Sequence, residues 1–115
     1  MTQKIRKTKD FYEIHARLCK CMAHPTRLHI LDLLESKNRT VQELANELGV
    51  PQANVSQHLM IMRDNGIVET EKVGSRVYYK IANYKIVQAC KLVQNIVSEN
   101  AEKKNQVLFG KTSRK

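Results

Sequence analysis

The chain has 115 residues, enough for one hydrophobic core and too few for two, and its 42% hydrophobic and 27% charged residues are ordinary for a globular protein. Lys and Arg number 20 against 11 Asp and Glu, a formal charge of +9 that points to a polyanionic partner, nucleic acid before an anionic membrane surface. No apolar run is long enough for a transmembrane helix, and the basic start MTQKIRKTKD lacks the apolar stretch of a secretory signal, so a cytoplasmic protein without a membrane partner is expected.

Residues 1–8 read as a basic flexible N-terminus and residues 105–115 as a basic flexible tail, with Lys4, Arg6 and Lys7 at one end and Lys111, Arg114 and Lys115 at the other. Residues 9–104 form one domain between them. A first helix spans residues 9–22, with Phe11, Ile14, Leu18 and Met22 along one face. Pro25 breaks that pattern and suits the first position of a second helix, where a missing N–H costs nothing. His24, in the turn before it, reads as structural. PTRLHILDLLES then sets Leu28, Ile30, Leu31 and Leu34 at helical spacing.

Thr40 is a natural N-cap, and Glu43 three residues on completes a capping box. The short helix VQELANEL follows, closed by Gly49. After GVP a further helix runs from Gln52 to about Asn65, stopped by Gly66, with Val55, Leu59 and Met62 on its apolar face. Two short helices joined by a tight turn containing Gly describe a helix-turn-helix.

The period then changes to alternation. IVETEKV and RVYYKI are strands joined by a GS turn, with Val77, Tyr79 and Ile81 facing inward and Lys72, Arg76, Tyr78 and Lys80 outward. A last helix, residues 83–104, carries Ile86, Ala89, Cys90, Val93, Ile96 and Val97, a broad apolar stripe for the end of so small a domain. The fold class is therefore mainly α with a small β-hairpin, a winged helix-turn-helix.

In such a fold the second helix of the motif lies in the major groove with its N-terminal residues against base edges. Gln and Asn pair bidentately with adenine, and Ser serves either base type. Gln52, Asn54, Ser56 and Gln57 form the readout face, and Ala53 and Met60 add contact to thymine methyls. Phosphates fall to the start of the Thr40 helix at Thr40 and Val41, to Arg63, and to Lys72, Ser75 and Arg76 on the hairpin. His58 is read either as part of the DNA surface or its support, or as a packed structural histidine.

MAHPTRLHILDLL, TVQELANELGVPQANVSQHLMIMRDNGIV and KVGSRVYYKI together resemble the ArsR/SmtB family of winged-helix repressors over residues 11–97. The resemblance implies a homodimer built from first and last helices, bound to double-stranded DNA at an imperfect palindromic operator and released by a small inducer. It also implies a place for His58, since a His stands there in the family's recognition segment. The family's arsenic-type Cys-x-Cys is absent from TVQELANEL, and its zinc-type Asp and His ligands are absent from the last helix. No metal site or cofactor is assigned.

Three cysteines remain, Cys19, Cys21 and Cys90, an odd number that does not describe a disulfide framework. Cys19 and Cys21 point about 200° apart on a continuous helix and do not jointly grip an ion. Three readings stay open: small buried hydrophobes; a thiol switch pairing Cys19 or Cys21 with Cys90 and answering oxidants or reactive sulfur; and a thiolate site for As(III), Cd(II) or Cu(I). The rival to a DNA-binding repressor is a winged-helix protein–protein adaptor that does not bind DNA. No catalytic constellation is visible, so an enzyme is not expected.

Overall fold

Most helix starts in this chain are set by the side chain just before them. The computed structural model describes residues 6–109, so Lys4, Lys111, Arg114 and Lys115 of the expected basic ends lie outside the described residues. Thr8 accepts a hydrogen bond from the Phe11 N–H and opens α1 (Lys9–Met22). His24 Nδ1 accepts from the Thr26 N–H and opens α2 (Pro25–Ser36), with the proline at the first helical position. Thr40 and Glu43 form the expected capping box at the start of α3 (Val41–Leu48). α4 (Gln52–Asp64) starts after Pro51 with no side-chain cap.

The ends are equally local. The Ser36 hydroxyl and the Arg39 Nε both donate to the Leu33 carbonyl, at 2.8 and 3.1 Å, satisfying an orphan acceptor at the end of α2. Beyond α4 the Ile67 N–H donates to the Met62 carbonyl and the Gly66 N–H to that of Arg63, the double closure of a Schellman motif. That closure needs a left-handed residue, and Gly66 supplies it at φ 73°.

β1 (Val68–Val73) and β2 (Arg76–Ile81) pair antiparallel, from Val68 opposite Ile81 to Val73 opposite Arg76. Gly74 has φ 64° and Ser75 is not among the positive-φ residues, the sign pattern of a type II′ turn. Arg39 adds one bridge to the outer edge of β2: its N–H donates to the Tyr79 carbonyl at 3.1 Å, and the Tyr79 N–H returns a bond of 2.7 Å. The hairpin is thereby anchored to the segment that leads into α3.

The chain divides into two compact units, one ending at Asn83 and the other beginning at Tyr84. In the first, Ile30, Leu31 and Leu34 of α2, Leu44 of α3, Val55, Leu59 and Met62 of α4, and Ile67 and Val68 form the core. Each such side chain contributes about 1.5–3 kcal/mol relative to exposure. The architecture is the expected winged helix-turn-helix.

Two expectations for inward-facing residues fail. Ile14 is 59% exposed, and the buried residues of α1 are Cys21 and Met22, because only the C-terminal end of this helix reaches the core. Val77 is 43% exposed although it shares a face with buried Ile81. Burial fades from Ile81 through Tyr79 to Val77 as the ribbon leaves the core, so alternation continues with nothing to face. The register also places Lys72 opposite Val77, on the face of Tyr79 and Ile81 rather than with Arg76.

The second unit is α5 (Tyr84–Phe109), which continues past Lys104 because Ala101, Glu102, Lys103, Lys104 and Gln106 are good helix formers with no Gly or Pro among them. Leu92, Val93, Ile96 and Val97 are exposed along it. Among the described residues no helix is long and apolar enough to cross a membrane.

Candidate nucleic-acid interface

α3 ends at Leu48 and α4 begins at Gln52, so the two helices are joined by Gly49, Val50 and Pro51. Burial of Val55, Leu59 and Met62 fixes which way α4 is rolled. That roll leaves Gln52, Ala53, Asn54, Ser56 and Gln57 exposed together in its first two turns. Their amides and hydroxyl present donors and acceptors in the combinations that base edges in a major groove offer. Ala53 and Met60, the latter 58% exposed, add apolar surface of the size of a thymine methyl contact. No side chain caps α4; the Asn54 N–H donates to the Pro51 carbonyl at 3.1 Å, and a phosphate is suited to the N–H groups of Gln52 and Ala53 ahead of it.

At the start of α3 the capping box consumes part of what a phosphate would use. Glu43 Oε1 accepts the Thr40 N–H at 2.9 Å, and Thr40 Oγ1 accepts the Glu43 N–H at 3.1 Å. The bond from the Thr40 N–H holds the Glu43 carboxyl below the usual carboxylate range, with smaller help from Lys37, Arg76 and Arg39. The Thr40 hydroxyl keeps its own proton to donate, and Val41 follows half-buried at the first helical position.

The hairpin carries Lys72, Ser75 and Arg76 exposed around its tip. Since Lys72 pairs with Val77 and Arg76 with Val73, the two cations leave the ribbon on opposite faces. Lys80 is engaged nearer the base, 3.8 Å from Glu69 and 3.4 Å from Glu71. Positive charge available to a backbone is therefore concentrated at the tip, with Arg63 exposed in the last turn of α4.

His58 is placed differently from the other polar residues of α4. It is half-buried, its Nδ1 accepts from the Arg27 Nε at 3.1 Å, and its ring lies 4.4 Å from that of His24. Arg27 also donates from Nη1 to the Cys21 carbonyl at 3.0 Å.

This geometry has close counterparts. Residues 24–70 match the model of the bacterial regulatory protein arsR family. A helix-turn-helix transcriptional regulator of Methanocaldococcus jannaschii is 37% identical over 86 residues, covering 74% of this chain and 97% of that one. The chain belongs to the ArsR/SmtB family. The transcriptional repressor SmtB of Mycobacterium tuberculosis is 36% identical over 76 residues, which span 66% of this chain and 56% of its own. A homodimeric winged helix-turn-helix DNA-binding domain from Mycobacterium bovis superposes with a TM-score of 0.77 at 31% identity, covering 89% of this chain and 94% of that one.

Within this ArsR-family chain the thiols differ in setting: Cys19 is exposed, Cys21 buried and Cys90 half-buried. Exposure of one and burial of the other agrees with Cys19 and Cys21 leaving α1 in nearly opposite directions. Among the described residues no group of three or more His, Cys, Asp or Glu is placed to hold a metal ion. Sequence reasoning missed Arg27 and Arg39. Both act through partners more than ten residues away, His58 and Tyr79, and neither pairing has a periodicity that would announce it.

Proposed function

We propose that this protein is a homodimeric, sequence-specific transcriptional repressor that reads an imperfect palindrome through α4 and grips the flanking backbone with its wing. The observation that carries the reading is the exposed row Gln52, Asn54, Ser56 and Gln57, held outward by the buried Val55, Leu59 and Met62. Thr40, Val41, Arg63, Lys72, Ser75 and Arg76 position the phosphates. A second copy of the chain is the occupant of the exposed stripe on α5, since an apolar surface of this kind marks an interaction site and the similar M. bovis domain is homodimeric. Two α4 helices related by a dimer axis would then meet successive half-sites one DNA turn apart.

Release through thiols is supported by the exposure of Cys19, the cysteine that an oxidant or reactive sulfur species would reach first.

The test is a fluorescence-anisotropy titration of the reduced protein against a duplex it has itself selected from a random pool, with a scrambled duplex as reference. Preference for the selected duplex and two chains per half-site pair support the reading. Equal affinity for both duplexes, or no binding in moderate salt, rejects it in favour of an adaptor. Repeating the titration after polysulfide or diamide tests the thiols: a loss restored by reductant and absent in Cys19→Ser assigns the switch, and an unchanged curve removes it.

A further inference from the structure

The apolar contacts that seat α4 are non-directional, and they leave its exact pose to polar links. Among the described residues, the bond from Arg27 to His58 is the one side-chain hydrogen bond that joins α4 to another element. Arg27 simultaneously holds the Cys21 carbonyl at the end of α1. One guanidinium thus ties the end of α1 and the start of α2 to the second turn of the recognition helix, next to Ser56 and Gln57. From these contacts we propose that Arg27 and His58 are positioning residues for DNA readout, and that the DNA-competent form of the protein requires a neutral His58. The proposal rests on the DNA-binding reading given above.

The chemistry is set by the donors. A guanidinium N–H only donates, so the His58 nitrogen that meets it must carry no proton. The same holds for His24, whose Nδ1 accepts a backbone N–H at the start of α2. Protonating His58 replaces the hydrogen bond by two cations in contact. The groups acting on His58 from the packed elements are His24 and Arg27 of the α2 segment, each cationic or able to become so, while α1 contributes a carbonyl that is already taken by Arg27. Burial first, then His24 and Arg27, hold the His58 imidazole below its ordinary range. Since the unfolded chain binds that proton more tightly, the stability tied to neutral His58 is complete above the ordinary imidazole range and declines as pH falls through it.

The direction is diagnostic. Acidification by itself raises the net positive charge of a chain and should strengthen attraction to phosphates. The positioning link predicts weaker binding instead.

The experiment titrates the intact protein against its pool-selected duplex from pH 8 to pH 5.5 at constant ionic strength, with circular dichroism confirming the fold at each pH. Wild type should lose affinity progressively toward pH 5.5, by several-fold at the acid end, because the loss at each pH is bounded by the protonated fraction of His58. His58→Asn keeps an acceptor for Arg27 without a titratable ring. Measured against its own affinity at pH 8, it should lose little on acidification, and Arg27→Gln should bind weakly throughout. Imidazole NMR of wild type supplies a readout independent of any variant: the His58 titration midpoint should coincide with the midpoint of the affinity loss. Identical pH profiles in wild type and His58→Asn, affinity that rises on acidification, or separated midpoints would overturn the positioning role while leaving the DNA-binding reading intact. Absence of selective binding at pH 8 would overturn both.

Discussion

In the unit ending at Asn83, nine large apolar side chains are no more than 2% exposed, whereas Leu92, Val93, Ile96 and Val97 of α5 each keep more than half of their surface in water. The first set is distributed over α2, α3, α4 and the start of the hairpin, so each residue finds its partners within the same unit. The second lies along a single helix at positions i, i+1, i+4 and i+5, a stripe that needs a facing surface. The difference separates two sources of stability. The helix-turn-helix is stabilised by its own core, and the α5 stripe becomes stabilising only when something covers it.

That contrast can be broken at several points. Leu59→Ala opens a cavity in a fully buried site and should lower unfolding free energy by about 2–5 kcal/mol in urea denaturation, by the same amount in dilute and concentrated samples. Gln57→Ala, on the opposite face of the same helix, should leave that stability unchanged and weaken binding to the selected duplex by about 1–3 kcal/mol. Leu92→Glu should leave the helix-turn-helix folded by circular dichroism and weaken self-association by about tenfold, or 1.4 kcal/mol, in sedimentation equilibrium. Thr40→Ala removes the acceptor of the capping box and should cost about 1 kcal/mol of stability. Arg76→Ala, at the exposed wing tip, should have the smallest effect, lowering the slope of log affinity against log salt by about 1 with site preference unchanged.

The elements were legible because their signals are local. Thr40 caps, Pro25 opens a helix, Gly49 and Gly66 close two more, and GS turns the hairpin, all within a few residues of what they control. The core face of α4 was equally plain, since Val55, Leu59 and Met62 recur at the helical period. What the residues alone did not disclose depends on distance. Val77 alternates like a core residue, but its burial depends on how far the ribbon extends past the helices. Lys72 and Arg76 look like one basic patch in the sequence, and only the strand register separates them to opposite faces. His58 sits among readout residues, yet its Arg27 partner comes from 31 positions earlier.

In the proposed complex α4 reads base edges in the major groove. The most direct test pairs Gln57→Ala with replacement of single adenines by 7-deazaadenine in the selected duplex, which deletes the major-groove N7 acceptor and leaves the minor groove untouched. At one adenine per half-site the deaza base should weaken wild type and make no further difference to Gln57→Ala, the non-additivity of a direct pair. Losses that simply add at every adenine would contradict that reading.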